Sequence, residues 1–134
     1  MILVVCLDDS LGMMFNNRRQ SRDRILIADL VRYADGRTVR VSPYSAPLFP
    51  EDTPALSVVS DPQNVAEQGE LYFCEEHDPV QIADRVEEIV IYRWNRLYPS
   101  DLRFTLDLGK FTLVGTECFV GSSHEKITKE IWKK

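Results

Sequence analysis

The segment that most constrains this chain is its first, where Ile2-Leu3-Val4-Val5-Cys6-Leu7 runs without a polar residue and half its side chains are β-branched. A strand wetted on one face alternates polar and apolar residues, so an unbroken run of this length reads as a strand covered on both faces. It belongs at the centre of a sheet with layers on either side, which is α/β architecture. The chain has 134 residues, 44% of them hydrophobic and 28% charged. That is one ordinary globular domain, able to bury roughly two thirds of the surface its unfolded chain exposes. The opening run lacks a basic leader and meets Asp8-Asp9 too early for a signal peptide. No stretch approaches the roughly 18 apolar residues of a membrane span. A cytoplasmic protein with no membrane association is expected.

Asp8-Asp9-Ser10-Leu11-Gly12 is turn chemistry, and Met13–Gln20 has no clear period, so it reads as an ordered loop. Ser21 is placed to cap a helix with Asp23 in its first turn. Leu26, Ile27, Leu30, Val31, Tyr33 and Ala34 supply that helix's apolar stripe, and Gly36 its stop. Thr38–Ser42, Ala55–Ser60, Glu70–Glu75 and Glu88–Trp94 read as strands, with a proline-rich stretch from Pro43 to Pro54 that no regular element crosses. Asp78-Pro79 predicts one or two helical turns to about Arg85. Leu102, Phe104, Leu106 and Leu108 alternate with Arg103, Thr105 and Asp107, as a half-buried strand or extended arm does. Phe111–Val120 continues the strands. Ser122-x-x-Glu125 matches a capping box, while Ile127 to Trp132 suits a strand.

Net charge is −5, which is not the basic balance of a nucleic-acid binder, and no nucleic-acid partner is expected. The charge is segregated: residues 16–40 carry seven Arg against three Asp, and residues 51–91 one Arg against eleven acids. Arg18, Arg19, Arg22 and Arg24 could clamp one phosphate or carboxylate, because guanidinium forks match both. Cys6, Cys74 and Cys118 are an odd number without a C-x-x-C pair, and read as small buried hydrophobes. His77 and His124 lie far apart with no metal-binding spacing, so no metal centre is expected. No G-x-S-x-G elbow signals Ser-His-Asp catalysis.

Taken in order, these pieces resemble the dihydrofolate reductase family. Val4-Val5-Cys6-Leu7-Asp8-Asp9-Ser10-Leu11-Gly12-Met13 is similar to its first strand, acidic turn and glycine before a mobile loop. Asp101-Leu102-Arg103-Phe104 resembles its Asp-Thr-x-Phe arm, Phe111-Thr112-Leu113-Val114 sits at its Trp-x-x-Val strand, and Ser123-His124-Glu125 stands where its final strand begins. The Asp-Asp-x-x-Gly-Met and Asn-x-Arg-Arg-Gln-Ser-Arg-Asp segments are also similar to those of small bacterial proteins. The resemblance implies a dihydrofolate reductase-like three-layer αβα domain over residues 1–134, a mixed central sheet, antiparallel C-terminal strands, and a final segment that is strand rather than helix. It also implies a role for Asp23, close to where the family holds a pterin ring.

The departures from the family concern its cofactor. No Gly-Gly pair occurs in the chain. Only His77 to about Glu87 separate strands that the family joins through a longer cofactor-binding segment, and Ser42-Pro43-Tyr44-Ser45 replaces its Gly-Arg-Thr-like helix start. The expected function is therefore a non-catalytic binding or regulatory protein without a cofactor. Its ligand-binding residues are read as Asp23, Asn17, Arg18, Arg19 and Tyr92, for a small anionic or heterocyclic ligand, or a surface serves a protein partner. The competing reading is a minimal NADPH- or NADH-dependent pterin or nucleotide-related reductase, with Asp23 positioning the substrate. A shortened cofactor side should also expose a sheet edge through which two copies pair as a homodimer.

Overall fold

The structure, a computed structural model, describes all residues from 1 to 134. Strand β1 (Ile2–Leu7) is followed by a hairpin of β2 (Gly12–Phe15) and β3 (Arg18–Arg19), then helix α1 (Arg24–Ala34). Strands β4 (Val39–Val41) and β5 (Leu56–Val58), the one-turn helix α2 (Pro62–Val65) and β6 (Leu71–Phe73) come next. A 3-10 segment over Pro79–Arg85 leads to β7 (Glu88–Arg93) and β8 (Leu102–Arg103). Strands β9 (Thr112–Phe119) and β10 (Ile127–Lys133) complete the chain.

The main sheet has seven strands in the order β5-β4-β6-β1-β7-β10-β9, and β3-β2-β8 form a small second sheet. The central strand β1 pairs in parallel with β6 on one side and β7 on the other, while β10 runs antiparallel to both β7 and β9. Leu3, Val4, Val5 and Leu7 are wholly buried. Alternate residues of β1 serve different cores, which is why the opening run needs no polar positions. Ile2 and Val4 pack with Val90, Tyr92 and the Leu26, Ile27 and Leu30 face of α1. Leu3, Val5 and Leu7 pack with Met13 and Met14 of the hairpin and with Phe104 and Leu106 of the arm. This is the mixed α/β sheet with antiparallel C-terminal strands that the sequence implied. One face is covered by α1; the other is covered by the hairpin, short helical turns and the arm. No helix is long and apolar enough to cross a membrane.

Several local expectations are corrected. Residues 13–20 are not a loop: Asn16 and Asn17 take φ of 52° and 60°, the left-handed pair that closes a two-residue hairpin and that Asn tolerates better than most residues. The cap of α1 is Asp23, whose side chain accepts from the Ile25 and Leu26 N–H groups, while Ser21 is turned elsewhere. Asp35, at φ 50°, closes the helix just before Gly36. The capping box at Ser122 starts no helix, because the chain needs this tight turn to enter β10. Cys118 is exposed rather than buried, since β9 projects beyond the two cores. The two edges of the sheet are β5, of three residues, and β9, of eight.

Leu30 is fully buried where α1 meets the sheet. Leu30→Ala is expected to lower unfolding free energy by about 3 kcal/mol, whereas Val114→Ala on exposed β9 should stay within about 0.5 kcal/mol; urea denaturation of both variants checks the contrast.

Candidate functional site

The residues proposed as ligand contacts do not form one cleft. Asp23, only 3% exposed, faces inward at the start of α1. Its Oδ1 accepts from the backbone N–H groups of Ile25 at 2.9 Å, Leu26 at 3.2 Å and Ser122 at 2.9 Å. Its Oδ2 accepts from the Ser123 N–H at 2.8 Å and bonds His124 Nδ1 at 2.9 Å. A carboxylate offers about four lone-pair sites, so five donors leave nothing for a pterin-type edge. A Cβ at Gly121 would fall on this carboxylate, which is why glycine stands at the turn. Burial pushes the carboxyl up, but the His124 bond and the N–H groups of Ser122, Ser123 and Leu26 outweigh it and hold Asp23 well below the usual carboxylate range.

An ionised carboxylate can only accept, so His124 donates from Nδ1, and in the neutral ring Nε2 is then the acceptor. That nitrogen meets Ser21 Oγ at 2.9 Å and the Tyr98 hydroxyl at 3.3 Å. The imidazole stacks on Trp94, with centroids 4.5 Å apart and planes 26° apart. Sequence reasoning missed this cluster, because Ser21 and His124 are separated by most of the chain and neither carries a recognisable motif.

The other predicted residues have structural partners. Arg19 forks onto Glu75 at 3.0 and 3.1 Å and reaches the Tyr44 carbonyl at 3.0 Å, tying the β2–β3 hairpin to the end of β6. Tyr92 is wholly buried and donates to Asp29 Oδ2 at 2.6 Å. Burial and the Asp29 carboxylate push its phenol well above the ordinary value. The Tyr92 hydroxyl is spent inside the core, while Arg19, though paired with Glu75, still lines the cleft beside the hairpin. Asn17 is exposed at the hairpin tip. Arg18 borders a cleft of about 560 Å³ with Phe15, Gln20 and Tyr98. Asp8 is a turn organiser: it accepts from Ser10, Gly12, Gln20 and Tyr98.

A second opening lies between α1 and segment 46–54. It consists of adjoining hollows of about 390 and 690 Å³ that share Arg24, Ile27, Pro47 and Leu48. Arg22 closes one end, and Arg32, held by Asp29 at 3.3 Å, borders the other. Arg22 and Arg24 enter no ion pair in the chain. A third, smaller pocket of about 190 Å³ sits at the ends of β4 and β6, bordered by Ser42, Tyr44, Glu75, Glu76 and His77. There Ser45 Oγ donates to Glu75 at 2.7 Å, and Ser42 Oγ donates to Glu76.

No protein-family model matches the sequence, and no curated protein is similar to it. Among solved structures, the chain is similar to dihydrofolate reductase from Enterococcus faecalis, which was determined as a complex with NADP(H) and RAB-propyl. The superposition has a TM-score of 0.70 and covers 98% of this chain and 94% of that one, at 8% sequence identity. The fold is therefore dihydrofolate reductase-like, as the sequence resemblance implied.

Asp23→Ala should lower stability by about 3 kcal/mol at neutral pH, through the lost cap and the buried donors left unpaired. The Asp23 carboxyl is depressed in the folded state, so its contribution is complete above the unfolded value near pH 3.9 and is lost as pH falls below it. Urea midpoints across the acid range are expected to fall for the native chain and to stay flatter for Asp23→Asn.

Proposed function

We propose that this protein binds a small anionic molecule with a flat apolar body in the groove between α1 and segment 46–54, on a dihydrofolate reductase-like scaffold that performs no hydride transfer. The observation that carries this reading is two unpaired guanidinium groups, Arg22 at one end and Arg24 where the two hollows meet, in a groove walled by Ile27, Val31 and Leu48. Apolar walls supply affinity, and a few placed charges orient the ligand. Guanidinium forks suit a carboxylate or phosphate.

The fold implies a nicotinamide cofactor, and the residues at the strand ends do not suit one. A pyrophosphate is held by backbone N–H groups and small residues at a helix start. Here the strand-end pocket carries the carboxylates of Glu75 and Glu76, Pro43 has no N–H to give, and no helix of more than one 3-10 turn begins after β4. Glu76 would repel the groups it would have to cradle, and Glu75 is already committed to Arg19 and Ser45. The Asp23 carboxylate, saturated within the chain, gives no support to pterin reduction either.

Calorimetric titration with p-aminobenzoyl-glutamate, folate and a nucleoside monophosphate tests the binding reading. Binding of at least one of these is expected, with a loss of about tenfold or more for Arg24→Ala or Arg22→Ala, and no heat with NADPH. Oxidation of NADPH in the presence of dihydrofolate, faster than in buffer, would establish the reductase reading instead.

A further inference from the structure

Ser21, His124 and Asp23 stand in the relation of nucleophile, base and orienting carboxylate. Ser21 Oγ lies 2.9 Å from His124 Nε2, and His124 Nδ1 lies 2.9 Å from Asp23 Oδ2. Such a constellation is recognised by geometry and role on unrelated folds, whatever the order of its members along the chain. We propose that this relay makes Ser21 an acyl-accepting nucleophile, so that the protein hydrolyses esters of small carboxylic acids. The proposal is independent of the anion-binding groove.

Each part has the environment that its role requires. Asp23 is buried and immobilised by four backbone N–H groups besides the imidazole, so it fixes the tautomer with the proton on Nδ1 and the lone pair on Nε2. Trp94 stacks on the ring and holds its plane. Holding the turn against α1 would not require a hydroxyl on Nε2, since four main-chain donors already join Asp23 to its neighbours. Ser21 has also left the helix-capping role its position suggested, and its only side-chain hydrogen bond is to His124. The N–H of Arg22, next after the nucleophile, has no acceptor in the chain and is free to donate to an oxyanion.

Ser21 is half-buried and lines a hollow of only about 10 Å³, and the 560 Å³ cleft lies next to it, bordered by Gln20, the neighbour of Ser21, and by Tyr98. The Tyr98 hydroxyl touches the same His124 nitrogen. Phe15, 41% exposed at this cleft, offers a face for an aromatic group. Arg18, without an ion pair, offers a charge for an anionic one. The fitting class is a small ester with an aromatic or anionic part.

In the reaction, Ser21 Oγ bonds to the ester carbonyl carbon as its proton passes to His124 Nε2. The tetrahedral adduct then breaks the carbon–oxygen bond to the leaving group, which takes that proton and departs as an alcohol. Water next attacks the acyl-serine, giving its proton to Nε2. The acyl carbon–Oγ bond breaks, the proton returns to Ser21, and a carboxylic acid leaves. One water is consumed and nothing is oxidised or reduced.

The test uses p-nitrophenyl acetate turnover and labelling by a fluorophosphonate, on the native chain, Ser21→Ala and His124→Gln, with a thermal melt of each. Turnover above buffer is expected for the native chain, together with a phosphonate mapped by peptide mass spectrometry to Ser21. Ser21→Ala should lose at least about 100-fold in rate and all labelling, with its melting temperature retained. Ser21→Ala deletes one hydroxyl and keeps the Asp23–His124 bond, so it decides the matter even if His124→Gln does not fold. Turnover unchanged in Ser21→Ala, a label on another residue, or no turnover in the native chain would each overturn the proposal.

Discussion

The carboxylate of Asp23 joins parts of the chain that are far apart in sequence: the start of α1 and the turn between β9 and β10, whose Ser123 lies 100 residues further on. The turn presents two successive N–H groups, and the helix presents two more of the four that every helix leaves unpaired at its start. One buried anion satisfies both sets. Without it, four donors would face each other across the junction, and the antiparallel half of the sheet would lose its fixed relation to α1. The same saturation decides chemistry, because a carboxylate that is spent on the scaffold cannot also hold a ligand.

Charge segregation along the chain has a second structural consequence. The arginine-rich part from residue 16 to 40 and the acidic part from residue 51 to 91 meet across the sheet. Arg19 pairs with Glu75 and Arg40 with Glu70, both as two-pronged contacts at partly buried positions. Arg40 holds the Glu70 carboxyl below its ordinary range. These pairs consume part of each charge block. What remains is spatially sorted: Arg22 and Arg24 beside α1, Arg18 on the hairpin, and Glu76 beyond the end of β6. A surface reading of the arginine cluster as one clamp fails because Arg19 is recruited into the scaffold while its neighbours are not.

The elements legible in the sequence are those where a single local rule decides. The unbroken apolar run of β1 demands two covered faces, the alternation of Leu102 to Leu108 demands one, and Asp78-Pro79 places a helical start whose cap bond to Val80 is present. Illegible elements depend on distant partners. Asn16-Asn17 makes a hairpin only because β8 pairs with β2 from the far half of the chain. Ser21 and Asp23 both qualify as caps by type, and the choice between them is made by His124 and the Ser122–Ser123 turn. Tyr92 looks like a site residue at a strand's end, yet Asp29 on the helix above draws its hydroxyl into the core.

That the fold survives at 8% identity follows from what holds it. A strand buried on both faces requires only apolar side chains of suitable size, and many sequences meet that requirement. The ends of those strands and the loops beside them carry no such constraint, and there this chain places carboxylates and a proline at the ends of β6 and β4, and a saturated aspartate at the start of α1. Likeness of fold therefore transmits the positions where chemistry can be placed, and only the groups found there decide which chemistry it is. At the junction of α1 with the β9–β10 turn those groups are a hydroxyl, an imidazole and a carboxylate in hydrogen-bonded sequence, and the carboxylate also ties α1 to that turn.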